Sequence, residues 1–418
     1  MLSDSDKLYF HIDVNSAYLS WTAAKLLQLG ISDLDIRKVP SIICGDPINR
    51  QGIVLAKSIP CKKFNIQTGE TIYNALKKYP KLLMYPPDYD LYMKCSNAMY
   101  EILKEYTPLI ERYSVDENFL DMTHFKDEYM SKAIEIKNRI EFELGFTVNI
   151  GISSRKLLSK MASDFEKPNK IHTLFPSEVE AKMWPLPVDE LFMVGRATKP
   201  KLQSLGINTI GELAKYDKSI IKSKLKSFGN MIHEYANGID NSVVRSESYL
   251  DIKGIGNSTT TKMDICTREE AKQVILSLVE TTSMRLRKNK KMGLVVAVSI
   301  KTNTFLKYSH QRTLNNYTDC TDEIYKEILK AFDEVWKNEK IRHIGVRVTN
   351  LCSNQYYQSS LFDDNNIEKK RALDKTIDEL RGKFGNTSVI RSTFLNSDVK
   401  PLLGGVGEED YLMMNSRI

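Results

Sequence analysis

Residues 9–30 read YFHIDVNSAYLSWTAAKLLQLG, and they join a strand pattern directly to a helix pattern. Apolar side chains alternate with polar ones over residues 9–14, which predicts a strand that is buried on one face. Residues 16–30 follow with helical periodicity and end at Gly30, a residue type that commonly terminates helices. The polar face of the strand carries Asp13, so an acid lies where the strand gives way to the helix.

The same two patterns recur farther along the chain. Apolar residues at helical spacing predict a helix over residues 99–113, which Pro108 bends or ends. A second helix is predicted over residues 131–145, and an alternating strand over residues 146–153. With strands on both sides of residues 113–122, the order β-α…α-β-β-α-β is typical of a split βαβ, ferredoxin-like sheet. We therefore predict an α+β fold.

The stretch YSVDENFLDM, residues 113–122, gathers acids inside an otherwise apolar run. Asp116 and Glu117 are adjacent, although successive side chains of a strand point to opposite faces. Asn118 suits a tight turn, and a hairpin that turns at the acid pair would direct both carboxylates toward one edge of the sheet. In a ferredoxin-like sheet the first strand can lie beside this hairpin, so Asp13 would join them.

Three converging carboxylates repel one another unless a cation neutralises them. Mg²⁺ prefers oxygen ligands and also holds substrate phosphates, and two such ions about 4 Å apart drive in-line phosphoryl transfer. On the acids alone, a solvated turn is the simpler interpretation. Lysines that could bind a triphosphate favour the metal interpretation, although for each lysine taken singly a position on the surface is the simpler explanation. They are Lys57, Lys62, Lys63 and Lys167.

The composition bounds the class of protein. The chain has 418 residues, 42% hydrophobic and 27% charged, as expected for a globular protein of two to four domains. It contains no apolar run of about 18 residues and no visible secretory signal, so we expect a cytoplasmic protein. The six cysteines form no CxxC pair and are expected to be reduced.

The charge is unevenly distributed along the chain. The net charge is +7, and residues 250–352 alone carry 18 Lys and Arg against 12 Asp and Glu. The most basic stretch is RLRKNKK, residues 285–291. Such an excess favours a polyanionic partner, although a solvated charged face would also explain it.

Four motifs together resemble the Y-family, or translesion, DNA polymerases, specifically the bacterial UmuC/DinB group. They occur in the family's order and spacing, within residues 8–352. The motifs are FHIDVNSAYLS, YSVDENFLD, VNIGISSRKLLSKMASDFEKPN and IRHIGVRVTNL. The resemblance implies Mg²⁺-dependent, template-directed addition of deoxynucleotides to a primer, in damage tolerance and DNA repair.

The resemblance also implies a domain organisation. The ferredoxin-like palm carries a fingers insertion and is followed by a helix-hairpin-helix thumb and an α+β little finger. We predict the palm at residues 1–16 and 84–174, the fingers at 17–83, the thumb at 175–242, the little finger at 250–352 and a C-terminal tail at 353–418. One helix is predicted in the tail, over roughly residues 367–384.

Residue by residue, the resemblance assigns Asp13, Asp116 and Glu117 as the catalytic, metal-binding acids of two Mg²⁺ ions. Val14 would provide a backbone carbonyl to the metal. The chain departs from the family pattern at Asn118, because a small residue is common after the acid pair.

For the incoming nucleotide, Tyr18 matches the aromatic steric gate that excludes a ribose 2′-hydroxyl, although the sequence alone would favour a core aromatic. Lys167 matches a lysine that binds the triphosphate. Lys62 occupies the position of the family's fingers arginine but cannot form a planar bidentate fork. Ile59 replaces a usual tyrosine. These two differences put the grip on the triphosphate in doubt and leave the metal site unaffected.

Two regions are predicted to bind primer-template DNA. In the thumb, Gly195 and the amides after it could contact a phosphate, although Met193 replaces the first glycine of the hairpin. In the little finger, the basic stretch predicts backbone contacts by Arg287, Lys288 and Lys290.

The segment QSSLFDD, residues 358–364, resembles the short peptide by which bacterial polymerases bind the sliding clamp. Gln358, Leu361 and Phe362 would be its anchors, in the manner of an extended peptide that docks apolar side chains in a pocket. We expect a monomer that has no membrane partner and binds DNA, deoxynucleoside triphosphates and the clamp.

Two other functions remain open from the sequence. A nucleotidyl cyclase or metal-dependent nuclease could share a ferredoxin-like palm, but it would not need the thumb or the basic third domain. A catalytically weak DNA-binding scaffold in lesion bypass would be compatible with the altered Lys62 and Ile59. Primer extension distinguishes all three.

Overall fold

The computed structural model describes residues 7–46, 52–245, 252–354, 367–395 and 397–403. The chain divides into two compact units. The first contains residues 7–44 and 53–245, and the second contains residues 45, 46 and 52 and the described residues from 252 onward. No helix within the described ranges has the length and apolar character needed to cross a membrane.

The first unit contains short strands and helices in alternation. Its strands are β1 (Tyr9–Val14), β2 (Ser41–Cys44), β3 (Val54–Lys57), β4 (Leu83–Tyr85), β5 (Ile110–Arg112), β6 (Glu117–Asp121), β7 (Val148–Ser153) and β8 (Ile171–Thr173). Its α-helices are α1 (Ala17–Gln28), α2 (Ile72–Lys78), α3 (Tyr89–Lys104), α4 (Tyr129–Leu144), α5 (Lys156–Asp164), α6 (Lys199–Gln203), α7 (Ile210–Lys215) and α8 (Lys218–Ala236).

The central sheet of this unit has the order β5-β6-β1-β7-β8, with β1 antiparallel to both β6 and β7. Phe10, Ile12 and Val14 face a core that α3 and α4 complete, and α5 packs on β1 and β7. The alternation seen in the sequence therefore arises because each face of β1 contacts a different helix layer. The predicted ferredoxin-like arrangement is confirmed.

One predicted helix had the wrong bounds. It was expected over residues 99–113, but α3 begins ten residues earlier and ends at Lys104, and Ile110 belongs to β5. Because proline lacks an N–H and disfavours a helical residue before it, the backbone becomes extended around Pro108. Leu109, which fitted the helical spacing, is exposed.

The segment inserted between α1 and α3 forms its own three-stranded sheet, in the order β3-β2-β4. The sheet and α2 enclose a small core that includes Ile42, Val54 and Ile72. This sheet ends at Tyr85, two residues past the predicted boundary at 83.

The helices α6, α7 and α8 close the first unit around an apolar cluster that also receives residues of α5. The turn after α6 passes through Gly206 at φ +81°, where a side chain would be strained. Helix α8 is interrupted at Lys226, whose φ of 57° and ψ of −137° are not helical.

The second unit is a four-stranded antiparallel sheet with helices on one face. Its strands are β9 (Gly254–Ile265), β10 (Lys291–Thr302), β11 (Lys307–Thr318) and β12 (Ile341–Ser353), in the order β11-β10-β12-β9. Its helices are α9 (Arg268–Lys288), α10 (Thr321–Val335) and α11 (Ile367–Phe384). Helices α9 and α10 cover one sheet face, and their apolar side chains share its core.

The tail helix was predicted correctly, but the described part of the tail does not form a separate region. Arg381 of α11 pairs with the buried Glu280 of α9 at 3.1 Å. Beyond α11, the Ser277 hydroxyl donates to the Lys400 carbonyl at 2.7 Å and the Thr281 hydroxyl donates to the Leu403 carbonyl at 3.0 Å. Residues 367–395 and 397–403 therefore belong to the second unit.

Candidate active site and DNA-binding surfaces

Two of the predicted acids, Asp13 and Glu117, lie where β1 and β6 meet. Asp13 and Glu117 are directly opposite each other in the antiparallel register of these strands. The N–H of Val14 donates to the carbonyl of Asp116 at 3.1 Å, and the Asp116 carboxylate accepts from the Ser114 hydroxyl. The hairpin between β5 and β6 therefore turns at residues 113–116 and brings the predicted acids to one end of the sheet.

A glycine determines how closely α5 approaches these acids. At Gly151 of β7, an added Cβ would lie 2.0 Å from the Ser159 carbonyl oxygen and 2.4 Å from the Ser163 nitrogen. Only glycine allows this contact between helix and sheet. The close approach places the face of α5 that carries Lys160 against β1 and β6.

Two lysines of this region contact the acids. The Lys160 ammonium lies 2.7 Å from Glu117 and 4.0 Å from Asp13, and the Lys167 ammonium contacts Asp13 directly. The Asp164 carboxylate forms ion pairs with both ammonium groups, at 3.2 Å from Lys160 and 2.8 Å from Lys167. The sequence analysis missed Lys160 and Asp164. Lys160 and Asp164 are four residues apart and so lie on one face of a helix, and this spacing could have identified them as a charged pair.

Burial and these contacts shift the acidities of the cluster. Burial raises the pKa of Glu117 to about 7, which Lys160 opposes and Asp13 reinforces. Burial also raises the pKa of Asp13, against the effect of the two lysines. Burial alone would lower the pKa of Lys160, but the negative charges of Glu117, Asp164 and Asp13 outweigh this effect and raise the pKa. The site thus holds one buried and one half-buried carboxylate, Asp13 and Glu117, whose charge depends on neighbouring cations.

Within the described ranges, no group of three or more His, Cys, Asp or Glu side chains could hold a metal ion. Lys160 and Lys167 occupy the positions beside Asp13 and Glu117 at which a cation would neutralise them. The structure therefore brings Asp13 and Glu117 together as predicted, with lysine ammonium groups as their counter-charges.

A buried histidine lies behind the acids. His11 is completely buried, its Nδ1 is 2.8 Å from the Ser163 hydroxyl, and its Nε2 lies 3.9 Å from Glu117. Burial and then the charge of Lys160 hold the pKa of His11 well below its usual value. The ring is therefore neutral, and the Ser163 contact fixes it under α5.

Tyr18 lies on α1, one turn after the strand that carries Asp13. Its ring stacks on Tyr92 with centroids 4.4 Å apart and planes 5° from parallel, and Tyr89 packs edge-on at 6.1 Å. Burial, followed by the charge of Asp116, raises the pKa of Tyr18 to about 12. The ring is thus half-buried, fixed in orientation and close enough to the acid cluster to feel its charge.

The lysines of the inserted segment lie in a short 3₁₀ helix and on the strand before it. Lys62 and Lys63 are exposed, as is Ile59 at 47% of its surface. The Lys57 ammonium instead donates to the Ile66 carbonyl at 2.5 Å and is therefore engaged within the inserted segment. Contact between Lys62 and a nucleotide stays a prediction.

The predicted hairpin motif precedes α6. Gly195 is exposed, and an added Cβ there would meet no atom within 4 Å. Its carbonyl accepts from the N–H groups of Thr198 and Lys199. Met193, which replaces the first hairpin glycine, adopts φ +74°, a conformation that favours glycine. The backbone therefore keeps a glycine-like turn, and phosphate binding at Gly195 stays a prediction.

The structure contradicts the predicted DNA contact by Arg287. Its guanidinium donates to both carboxylate oxygens of Asp378 and to the carbonyl of Asp319, and its side chain is only 13% exposed. These acids are distant in sequence, so the basic stretch gave no sign of them. Lys288 and Lys290 are exposed at the end of α9 and remain candidates.

A different surface of the second unit carries the features of a polyanion-binding face. The side chains of Val296, Val298 and Ile300 point into the core beneath α9 and α10, so those between them point to the uncovered face. There Ala297 has Gln311 and Arg347 as cross-strand neighbours. Strands β10, β11 and β12 contain no Asp or Glu, which is a signal the sequence analysis missed.

The predicted clamp-binding residues Gln358, Leu361 and Phe362 lie outside the described residues.

Comparisons with known proteins agree with this arrangement. The model of the impB/mucB/samB family matches residues 12–164, and that of its C-terminal domain matches residues 252–361. The model of the family's HHH motif matches residues 176–207. A Y-family DNA polymerase chimera of Dbh and Dpo4 superposes with a TM-score of 0.70 at 20% identity, covering 83% of this chain and all of that chain.

Curated relatives extend the similarity over nearly the whole sequence. DNA polymerase IV of Clostridium acetobutylicum is 49% identical over 94% of this chain and 100% of its own length. DNA polymerase IV of Clostridium kluyveri is 36% identical over 92% of this chain and 97% of its own length, and DNA polymerase IV 1 of Bacillus subtilis is 32% identical over 97% of both. The matches confirm the α+β fold and the resemblance, and they favour neither a cyclase nor a nuclease. The chain therefore belongs to the impB/mucB/samB family of Y-family, or translesion, DNA polymerases.

Proposed function

We propose that this polymerase adds deoxynucleotides to the 3′ end of a primer on a DNA template, at the acids Asp13, Asp116 and Glu117. The observation that carries the proposal is the cross-strand pairing of the buried Asp13 with the half-buried Glu117, which gathers carboxylates at one end of the sheet. Acids that are withdrawn from water and need a neighbouring cation to stay ionised are typical of functional sites, and here Lys160 and Lys167 provide that charge. We assign the surrounding palm, fingers, thumb and little finger with the predicted boundaries, except that the fingers sheet extends to Tyr85 and the described tail residues belong with the little finger.

Membership of this family implies the use of a divalent metal. We propose two Mg²⁺ ions, with the three carboxylates and the backbone carbonyl of Val14 as ligands. The described carboxylates do not form a three-ligand cluster, but the donor chemistry fits, because carboxylate and carbonyl oxygens are the ligands that Mg²⁺ prefers. Burial raises the pKa of Asp13 and of Glu117 even with the lysines beside them, and a bound divalent cation would favour their ionised forms. When bound, the ions supply charge stabilisation for the transferred phosphoryl group.

The lysines beside the acids have a second task in this proposal. Lys167 must leave Asp13 when a cation binds there, and Asp164 at 2.8 Å keeps its ammonium at the rim of the site. From that position Lys167 binds the triphosphate, together with Lys62 of the fingers. Lys160 stays between Glu117 and Asp164 and balances the charge of the cluster.

Sugar selection falls to Tyr18. Its stacking on Tyr92 holds the ring in one orientation, and the influence of Asp116 on its acidity indicates that it borders the acids. A fixed ring in that position excludes a 2′-hydroxyl by contact alone. Selection by sterics requires no hydrogen bond from the Tyr18 hydroxyl.

DNA would be held mainly through its phosphates. In the thumb, Gly195 presents exposed backbone with open space before it. In the little finger, the uncovered face of β10, β11 and β12 offers cations without carboxylates, with Lys301 opposite Lys307 in the register. Lys288 and Lys290 add to the positive charge. Binding through phosphates weakens steeply as the salt concentration rises and does not depend on base sequence.

We further propose that Gln358, Leu361 and Phe362 bind a sliding clamp. The support is the segment's sequence and its position between residues 354 and 367, which both belong to the second unit. Replacing Leu361 and Phe362 by alanine should remove clamp-stimulated synthesis and leave basal extension unchanged. Equal stimulation of the variant and the wild type would refute the assignment.

Primer extension by the purified protein tests the proposed function. Template-dependent addition that requires a divalent cation would support it. A scaffold would bind primer-template without extending it, and a nuclease would shorten the primer. Either outcome would overturn the proposal.

A further inference from the structure

The tip of the hairpin between β10 and β11 presents an aromatic side chain in an unfavourable backbone conformation. Phe305 has φ +68°, and 63% of its surface is exposed. Bulky residues rarely adopt this left-handed conformation, which glycine or asparagine would accept readily. An exposed phenylalanine has no core packing to compensate for it.

The turn itself enforces that conformation. The N–H of Phe305 donates to the Thr302 carbonyl at 3.0 Å, and the N–H of Leu306 donates to the Thr302 hydroxyl at 3.1 Å. The N–H of Asn303 donates to the carbonyl of Lys340, the residue before β12, at 3.0 Å. The hairpin is therefore rigid, and it holds the ring outward at a defined place.

Cations flank the exposed ring. The Lys301 ammonium lies 5.3 Å from the ring centroid and the Arg342 guanidinium lies 5.5 Å from it. Lys307, at the start of β11, is exposed one residue beyond Leu306. A rigid aromatic ring between cations is the combination by which proteins bind single-stranded nucleic acid, with the ring stacking on a base and the cations contacting phosphates.

We propose that Phe305 is a stacking platform for an unpaired base of single-stranded DNA, with Lys301 and Arg342 contacting the adjacent phosphates. An unpaired base is favoured over duplex because the faces of paired bases are already covered by their neighbours. The inference goes beyond the proposed function, which assigns only phosphate contacts to this domain. In this proposal the little finger binds the unpaired strand through a base as well as through phosphates.

The test compares Phe305→Gly with Leu306→Ala in the full chain. Leu306 is a matched control because it is adjacent, 52% exposed and carries no aromatic ring. Affinity for a single-stranded oligonucleotide and for a blunt duplex is measured by fluorescence anisotropy, and thermal stability is measured in parallel. Phe305→Gly should weaken single-strand binding about tenfold, leave duplex binding within about twofold, and keep or raise the melting temperature because glycine accepts a positive φ.

These readouts separate binding from structure. If the ring served only to pack the hairpin, Phe305→Gly would lower the melting temperature and affect both DNA forms alike, which would overturn the proposal. Unchanged single-strand affinity would also overturn it and would point to a protein partner instead. Primer extension by the wild type is measured separately, so a failure of this inference is distinguishable from a failure of the polymerase assignment.

A spectroscopic variant provides an independent check. In Phe305→Trp, a stacked base should quench the fluorescence of the new indole when a single-stranded oligonucleotide binds. The wild type, with its three native tryptophans, gives the background. Quenching by single strands and not by duplex supports stacking, and its absence contradicts it.

Discussion

Lys160→Met removes the counter-charge of the acid cluster and should strongly destabilise the metal-free protein. The Lys160 side chain is only 9% exposed, and its ammonium lies 2.7 Å from Glu117. At an effective dielectric constant of about 20, that contact corresponds to about 6 kcal/mol of attraction. Part of it is offset by burying the two charges, and breaking a buried pair typically costs about 3–5 kcal/mol.

The loss should depend on pH in a defined direction. Lys160 opposes the rise in the pKa of Glu117, so without it the folded-state pKa lies still higher above the usual value of 4.5. A group whose folded pKa is raised contributes stability at low pH and loses it as the pH rises through that pKa. The variant should therefore differ most from the wild type at pH 8 and less at pH 6, where Glu117 takes up a proton.

Thermal unfolding in EDTA measures the effect. For a domain of this size each kcal/mol corresponds to about 2–4 °C, so the midpoint should fall by roughly 6–20 °C at pH 8. The matched control is Lys170→Met, because Lys170 pairs with the exposed Glu166 at 3.6 Å and should contribute at most about 1 kcal/mol. Equal midpoints for Lys160→Met and Lys170→Met would refute the charge-balance account.

Tyr18→Ala should admit ribonucleotides, because the ring excludes the 2′-hydroxyl by contact, and extension with ribonucleotides alone measures this. Incorporation as low as in the wild type would exclude Tyr18 as the gate. Asn118→Ala should raise the free energy of unfolding by about 1–3 kcal/mol, since among the described residues its buried amide has no hydrogen-bond partner. Asn149→Ala, which removes a fully bonded amide, should instead lower the free energy of unfolding in the same denaturant titration. A lower free energy of unfolding in both variants would show that the Asn118 amide is paired. Below pH 7 a proton on Glu117 competes with the metal, so Mn²⁺ affinity should fall about tenfold per pH unit if one proton is displaced, and a flat titration series would contradict this.

The acid cluster could be predicted from sequence because it depends on short-range signals. Strand alternation predicted the face of Asp13, and the adjacent acids 116 and 117 predicted a hairpin beside it. The turn itself lies at residues 113–116, and Asn118, which was expected to favour the turn, lies within β6. The tail helix was likewise predictable, since its periodicity is uninterrupted over Ile367–Phe384. Local periodicity thus identifies elements and their buried faces.

The partners of the charged residues could not be predicted in the same way. Arg287 lies in the most basic stretch of the chain, yet it is neutralised by Asp378, 91 residues farther on. Lys160 reaches the acids only because Gly151 lets α5 approach the sheet closely. Such pairings depend on tertiary contacts, and a count of charges along the sequence does not contain them.

The central claim is that Asp13, Asp116 and Glu117 carry out nucleotide addition. The most direct measurement is the single-turnover extension rate of Asp13→Asn, Asp116→Asn and Glu117→Gln at saturating primer-template. Asp121→Asn is the control, because Asp121 lies at the other end of β6, opposite Tyr9, where its carboxylate accepts from Thr123. We expect extension to be abolished in the first three variants, with DNA affinity nearly intact, and retained in the control. Normal extension by any of the three would contradict the account.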